Sequence, residues 1–291
     1  MKALLTGASG LLGTAIHRAI IEGGDACEAM ERPALARLDR RALITRLRQH
    51  DVLIHAAANT NVERCEVFQD SCYQDNFLLT EVLASAAREA DIRFVFISST
   101  GVYGSGQTTP YAEYDDAVPT THHHKSKKLA EGAVLAQNPS NLIVRTGWLF
   151  GGSWANPKNF VARRIEEARA ALAQDGVISS NSQQRGNPSF TEDVADRILA
   201  LIRGHHDGVY NCVGAGNASR FEYVQEIVTR LNIAVKVVPA SAAVFNRKAM
   251  VSDNEMATNW KMLSIGMDEM PTWKTSLANY IEHLLRTETA K

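Results

Sequence analysis

Thr6-Gly7-Ala8-Ser9-Gly10-Leu11-Leu12-Gly13 is the stretch that decides the fold. It follows a short apolar run, Ala3–Leu5, and opens a segment, Leu11–Glu22, whose Leu, Ile and Ala recur at helical spacing. Gly7 permits a tight turn, Gly10 lets backbone approach a diphosphate, and Gly13 lets the helix pack close to the strand. The helix end adds amides and a positive dipole for the phosphates. The pattern therefore predicts a dinucleotide site at the carboxyl end of a first parallel strand.

Outward from this turn, strand and helix patterns alternate. Ala26–Met30, Asp51–Ala57, Phe94–Ser98 and Leu142–Val144 read as strands buried on both faces. Arg40–His50, Tyr73–Ala90 and Ser126–Gln137 carry helical spacing. Right-handed crossovers between such strands give an α/β fold, a doubly wound parallel sheet of Rossmann type. After Phe150 the loop Gly151–Pro157 marks a change of texture, with short strands at Val177–Ser180 and Val235–Val238. The expected organisation is a dinucleotide-binding domain over residues 1–150 and a smaller α/β substrate lobe over 151–291, with some segments crossing back.

Composition excludes some partners. With 31 basic against 32 acidic residues the net charge is -1, so no overall field favours nucleic acid or an anionic membrane. The four cysteines show no C-x-x-C spacing, which predicts reduced thiols and no disulfide. Cysteine, histidine and acidic residues show no metal-ligand spacing, and the consecutive His122-His123-His124 should splay apart on a helix, so no metal is expected. The opening Met1-Lys2-Ala3-Leu4-Leu5-Thr6 reaches glycine too soon for a signal-peptide apolar region, and the expected location is cytoplasmic.

The second strand ends at Met30-Glu31-Arg32. An acid there suits the ribose hydroxyl of NAD, whereas an arginine suits the 2′-phosphate of NADP; Arg32 tilts the reading to NADP with NAD left open. Asp39 reads either as an adenine contact or as a structural turn.

The G-x-x-G-x-x-G spacing is that of short-chain reductases, and six further stretches extend the likeness. They are Asp51–Val62, Ile97–Gly104, Pro110–Glu113, Ser126–Glu131, Arg145–Gly151 with Asn159-Phe160, and Gln184–Ser189. In this order they resemble the dTDP-4-dehydrorhamnose reductase family of extended short-chain dehydrogenases/reductases. The resemblance implies an NAD(P)H-dependent reductase of a nucleotide-linked 4-keto-6-deoxy sugar, in a family whose members often form homodimers. By the same resemblance Gly7, Gly10, Leu11, Leu12 and Gly13 line the diphosphate, Asp39 and Arg40 the adenosine half, and Ala57, Ala58 and Thr60 the middle of the cofactor. Tyr103 and Trp148 face the sugar, and Asn76 matches an asparagine of the wider superfamily, with a satisfied buried polar group as the alternative.

Ketone reduction leaves charge on the carbonyl oxygen, so the site needs a proton donor and a second hydrogen bond there. The resemblance assigns the second bond to Ser99, with Thr100 as neighbour, and the nicotinamide ribose to Lys127, followed by Glu131. Four residues before Lys127, where the family carries its tyrosine, stands His123, and His124 replaces the adjoining glycine. Tyr111 and Tyr114 lie upstream at the wrong spacing. His122 and His124 read as the start of a solvated helix. Three functions stay open on this departure: a reductase with histidine or a water relay as donor, a noncatalytic cofactor and nucleotide-sugar binder, and an epimerase.

Overall fold

In the computed structural model, which describes residues 1–289 apart from Asn246 and Asp268, six parallel strands form the central sheet. In chain order the strands are β1 (Lys2–Thr6), β2 (Ala26–Met30), β3 (Val52–His55), β4 (Arg93–Ser99), β5 (Leu142–Thr146), β6 (Trp148–Phe150), β7 (Val177–Asn181), β8 (Arg185–Gly186), β9 (Pro188–Phe190), β10 (Gly208–Cys212), β11 (Ala218–Ser219) and β12 (Lys236–Ala240). The sheet runs β10-β5-β4-β3-β1-β2. Chain direction across the sheet reverses between β1 and β3, the switch point where a crevice opens at the carboxyl ends of parallel strands. β2 forms one edge, and of its residues only Met30 is buried, so the expectation that this strand is covered on both faces is corrected.

Helices α1 (Leu11–Glu22), α2 (Arg32–Leu35), α3 (Arg40–Leu47), α4 (Val62–Val67), α5 (Gln69–Tyr73), α6 (Leu79–Ala90), α7 (His122–Gln137), α8 (Phe160–Leu172), α9 (Thr191–Arg203), α10 (Arg220–Leu231), α11 (Trp260–Ser264) and α12 (Trp273–Thr289) surround it. On one face Leu12, Ile16 and Ile20 of α1 meet Val194, Ile198 and Leu199 of α9; on the other, Leu43, Leu47, Leu83, Ala87 and Val134 of α3, α6 and α7 pack down. Each fully buried Leu or Ile contributes roughly 1.5–3 kcal/mol relative to exposure, which is what holds the helices to the sheet.

Two helices differ from expectation. α7 begins at His122, four residues ahead of the expected Ser126, because the Thr121 side chain caps it by accepting the His124 amide hydrogen. The expected single helix Tyr73–Ala90 is broken by a π-helical turn over Gln74–Leu78. Such turns shift the helical register by one residue and occur often at functional sites.

Beyond residue 150 the chain is shared between the main sheet and a second layer. α9 and β10 return to the main sheet, with β10 pairing alongside β5, and Met262 of α11 joins the same core. What stands apart is a smaller lobe of three two-stranded pairs, β6-β9, β8-β11 and β7-β12, around an aromatic core of Phe150, Tyr223, Trp273 and Tyr280. Among the described residues no helix is long and apolar enough to cross a membrane.

Candidate active site

The glycine turn between β1 and α1 is required sterically. Gly7 has a φ of 76°, and a Cβ added there would lie 2.5 Å from the Ala57 amide nitrogen. A Cβ on Gly13 would lie 1.9 Å from the Gly7 carbonyl oxygen. Gly10 caps α1 without a side-chain bond, so the first-turn amides of Leu11, Leu12 and Gly13 have no capping acceptor from the chain and suit a diphosphate. Across the cleft, a Cβ on Gly152 would lie 2.8 Å from Leu11 Cδ2, and Lys158 Nζ donates to Thr60 Oγ1 at 2.9 Å. Ala57 and Ala58 lie in the loop after β3, beside the turn. A turn with glycine at its points of close approach, first-turn amides without a side-chain cap and a lysine opposite fit a dinucleotide phosphate.

The adenosine-side residues are differently engaged. Asp39 caps α3 by accepting the Ala42 amide at 2.7 Å, the structural-turn alternative. Arg40 is tied to α6 instead of the cofactor path, donating to Ser85 Oγ at 3.1 Å and Glu89 Oε2 at 2.8 Å. Arg32 is exposed and ion-paired with Asp75.

Beneath the turn runs a buried polar chain. Thr80 Oγ1 donates to the Asn76 carbonyl at 2.8 Å, which leaves it to accept from His55 Nε2 at 3.1 Å; His55 Nδ1 then accepts from Thr6 Oγ1 at 2.6 Å. Burial, assisted by nearby Lys127, pushes the His55 imidazole down from 6.5 to about 3. Asn76, in the π turn, grips the loop after β3 from both sides: its Oδ1 accepts the Asn59 amide at 2.7 Å and its Nδ2 donates to the Asn59 carbonyl at 3.1 Å. Nδ2 is also 3.2 Å from Ser126 Oγ and 3.3 Å from His123 Nδ1. Asn76 is thus a buried polar group satisfied by backbone.

Ser99 ends β4, and its hydroxyl accepts the Gly101 amide at 3.2 Å; it is partly exposed, whereas the neighbouring Thr100 is buried. Lys127 is buried, donates to the Ile97 carbonyl at 2.7 Å and lies 4.4 Å from the centre of the Phe96 ring. Burial pushes its ammonium down to about 7. His123 is 5% exposed, and its Nδ1 is 2.9 Å from the Asn59 carbonyl oxygen. That short contact favours a hydrogen on Nδ1, leaving Nε2 as the acceptor in the neutral ring. Burial, then His124 and Lys127, hold His123 well below the ordinary imidazole value.

His124 is also buried, packed against Gly101, where an added Cβ would lie 2.2 Å from the imidazole. The expectation of a solvated His124 is therefore corrected: the Thr121 cap turns this first helical turn into the protein. The three histidines do not all splay apart either, since the rings of His123 and His124 lie 4.9 Å apart. Nor do cysteine and histidine stay separate. Cys65 Sγ, Cys72 Sγ and a ring nitrogen of His123 fall within 4.8 Å of one another, a convergence made by folding and invisible as spacing.

Tyr103, expected to face the sugar, is fully buried: its hydroxyl donates to Asn211 Oδ1 at 2.8 Å and its ring stacks on Tyr111 at 4.6 Å. That placement is a correction, because the 3-10 turn after Ser99 sends the ring inward. Tyr111 is locked in the same stack and Tyr114 is 70% exposed against Trp260, so neither stands in for the missing phenol. Trp148 donates to Glu255 Oε2 at 2.6 Å, with the Arg220 guanidinium 3.4 Å over its ring and Gly186 beneath. Arg220 and Glu255 carry no motif and were not foreseen. Arg145, which pairs with Glu131 at 2.7 Å while Glu131 accepts from Ser98 at 2.6 Å, locks α7 onto β4 and β5; only the Glu of Ser-Lys-x-x-Ala-Glu signalled it.

A parallel sheet with a glycine turn at its switch point, and a hydroxyl, an imidazole and a lysine at the ends of β4 and α7, is the arrangement of the extended short-chain dehydrogenase/reductase class. Comparison with known proteins places it more narrowly. The family described as "RmlD substrate binding domain" matches residues 1–286, and the chain belongs to it. The crystal structure of a dTDP-4-dehydrorhamnose reductase from Clostridium acetobutylicum is 30% identical, covers 98% of this chain and 100% of its own, and superposes with a TM-score of 0.91. That of the Bacillus anthracis dTDP-4-dehydrorhamnose reductase in complex with NADP is 25% identical over 97% of this chain and all of its own, with a TM-score of 0.88. The dTDP-4-dehydrorhamnose reductase of Mycobacterium tuberculosis is 28% identical over 283 residues, 95% of this chain and 91% of its own.

Proposed function

We propose that this chain is an NAD(P)H-dependent reductase of a nucleotide-linked 4-keto-6-deoxy sugar. The observation that carries the reading is the end-to-end alignment of the chain with proteins named as such reductases, on a fold whose glycine turn leaves the first-turn amides of α1 without a side-chain cap. Bound NAD(P)H supplies the hydride to the ketone carbon. The amides of Leu11, Leu12 and Gly13 hold the diphosphate, with Gly7 and Gly10 leaving it room and Ala57, Ala58 and Thr60 along its middle. Lys127 holds the nicotinamide ribose, and Ser99 donates to the carbonyl oxygen as charge grows there. The proton comes from His123 in its Nε2–H tautomer or through a water relay. Arg32 meets a 2′-phosphate once released from Asp75, and Trp148, with Arg220 and Glu255 around it, forms the wall for the sugar nucleotide. The homodimer implied by the resemblance belongs to the same proposal, and light scattering of the purified chain tests it.

One observation favours a second reading. With Nδ1 bonded to the Asn59 carbonyl, neutral His123 offers no hydrogen from Nε2, as suits a protein that binds cofactor and nucleotide sugar without turnover. Incubation with NADPH or NADH and a dTDP-4-keto-6-deoxyhexose decides between them. Loss of the reduced-nicotinamide absorbance with formation of the 4-hydroxy product supports the reductase. Binding of both ligands, seen as a rise in melting temperature, with neither cofactor consumed refutes it and leaves the binder.

A further inference from the structure

Cys65 on α4 and Cys72 on α5 meet His123 in the first turn of α7, which is distant from both in sequence, and all three are buried. Nδ1 is the ring nitrogen that faces Asn59 and Asn76, the two residues that also touch the sulfurs. It lies 2.9 Å from the Asn59 carbonyl oxygen, which is itself 3.8 Å from Cys65 Sγ, and 3.3 Å from Asn76 Nδ2, which is 3.5 Å from Cys72 Sγ. As protonated groups the set is over-supplied with hydrogens: the ring N–H, the Cys65 S–H and the Asn76 N–H all converge on one carbonyl oxygen with two lone pairs. Freed of thiol and ring hydrogens, the same atoms become lone pairs directed at a common point.

We propose that Cys65 Sγ, Cys72 Sγ and His123 Nδ1 bind one divalent ion of the zinc class, with the Asn59 carbonyl oxygen as fourth ligand. Two sulfurs and an imidazole are the donor set this ion takes in tetrahedral sites. Metal–ligand distances of about 2.0–2.3 Å require donor–donor edges of roughly 3.4–3.8 Å. The three atoms, now within 4.8 Å, reach this by contracting by about 1.4 Å at most, while Nδ1 and the Asn59 oxygen, now 2.9 Å apart, separate by about 0.5 Å. Charge also closes: Lys127 and Lys158 bring positive potential to the ring, so a bare dication is opposed there, but two thiolates cancel the ion's charge. Glu66 and Asp75, near Cys65, add to the negative side. Binding releases two thiol protons to solvent, and the ring hydrogen moves from Nδ1 to Nε2. That tautomer is the one a ketone oxygen needs, a consequence for the proposed reductase on which the metal site itself does not depend.

The test uses the full chain, stripped with chelator, kept reduced with a phosphine and titrated with Co(II). The expected result is one ion per chain, a sulfur-to-cobalt charge-transfer band, tetrahedral visible bands, and displacement of all three signals by Zn(II). Cys65→Ser and Cys72→Ser each halve the charge-transfer intensity and the double variant abolishes it, while Cys27→Ser and Cys212→Ser leave it unchanged. A wild-type chain with no such band, or a band that survives the double variant, overturns the proposal. Should the double variant not fold, proton release from the wild type decides: two protons per ion support the site and fewer than two overturn it. Metal uptake without NADPH turnover would leave this proposal standing and remove the reductase.

Discussion

Replacing His55 by glutamine should invert the stability order of the two proteins between neutral and acid pH. His55 is fully buried and neutral, and its pKa falls from 6.5 to about 3, with burial the main cause. Between those values the unfolded chain binds a proton that the folded chain refuses, so the stability this ring confers is whole above pH 6.5 and drains as pH falls towards 3. The slope is about 1.4 kcal/mol per pH unit, which integrates to roughly 3 kcal/mol by pH 4.5. Glutamine has no such titration but spoils the bonds to Thr6 and Thr80, at a cost of about 1–2 kcal/mol at pH 8. His55→Gln should therefore unfold at lower urea than wild type at pH 8 and at higher urea at pH 4.5, the curves crossing between. Because both chains share every other titrating group, their difference isolates the ring. Stability curves that stay parallel from pH 8 to 4.5 would refute the buried neutral imidazole.

Gly7→Ala forces φ 76° on a residue with a Cβ 2.5 Å from backbone, whereas Gly24, at φ 77°, has nothing within 4 Å. Gly24→Ala should cost about 1–2 kcal/mol of strain alone, and Gly7→Ala clearly more together with most of the melting-temperature rise given by NADPH. Equal effects would count against the packed turn. His123→Ala should lower kcat by about 10²- to 10⁴-fold with a smaller change in cofactor affinity, measured by steady-state kinetics beside NADPH titration. An unchanged kcat would remove His123 from the chemistry. Lys127→Met keeps the buried volume and should weaken NADPH binding roughly 10- to 100-fold, by calorimetry, as expected on losing a charged hydrogen bond; full affinity would discredit the ribose assignment. Glu131→Gln leaves the Arg145 guanidinium buried without its carboxylate, so denaturant unfolding should show a loss of about 3–5 kcal/mol. A loss under 1 kcal/mol would mean that water reaches the pair.

The sheet was legible because its inner strands are apolar runs and its first turn is punctuated by glycines that no other residue replaces. Gly7 and Gly13 announced both the fold and the cleft. What was hidden depends on contacts distant in sequence. Some crossing back was expected, but no local period reports that β10 and α9 are the segments that return to the sheet from beyond residue 190. α7 starts early because of one capping threonine, and that alone decides whether His124 meets solvent or Gly101. Tyr103 followed the family motif in sequence, yet the partners Tyr111 and Asn211 draw it into the core. His123 was legible as a departure. Its neighbours Cys65 and Cys72, on two short helices, were not, since only folding brings them to the same ring.

The most direct measurement is reaction of the purified chain with NADPH carrying deuterium in place of the transferable C4 hydrogen, in the presence of a dTDP-4-keto-6-deoxyhexose. The account predicts a 4-hydroxy sugar nucleotide with one deuterium at carbon 4 of the sugar, read by mass spectrometry and NMR. Intact cofactor and unreduced ketone, or a reduced sugar with solvent hydrogen at that carbon, would contradict it.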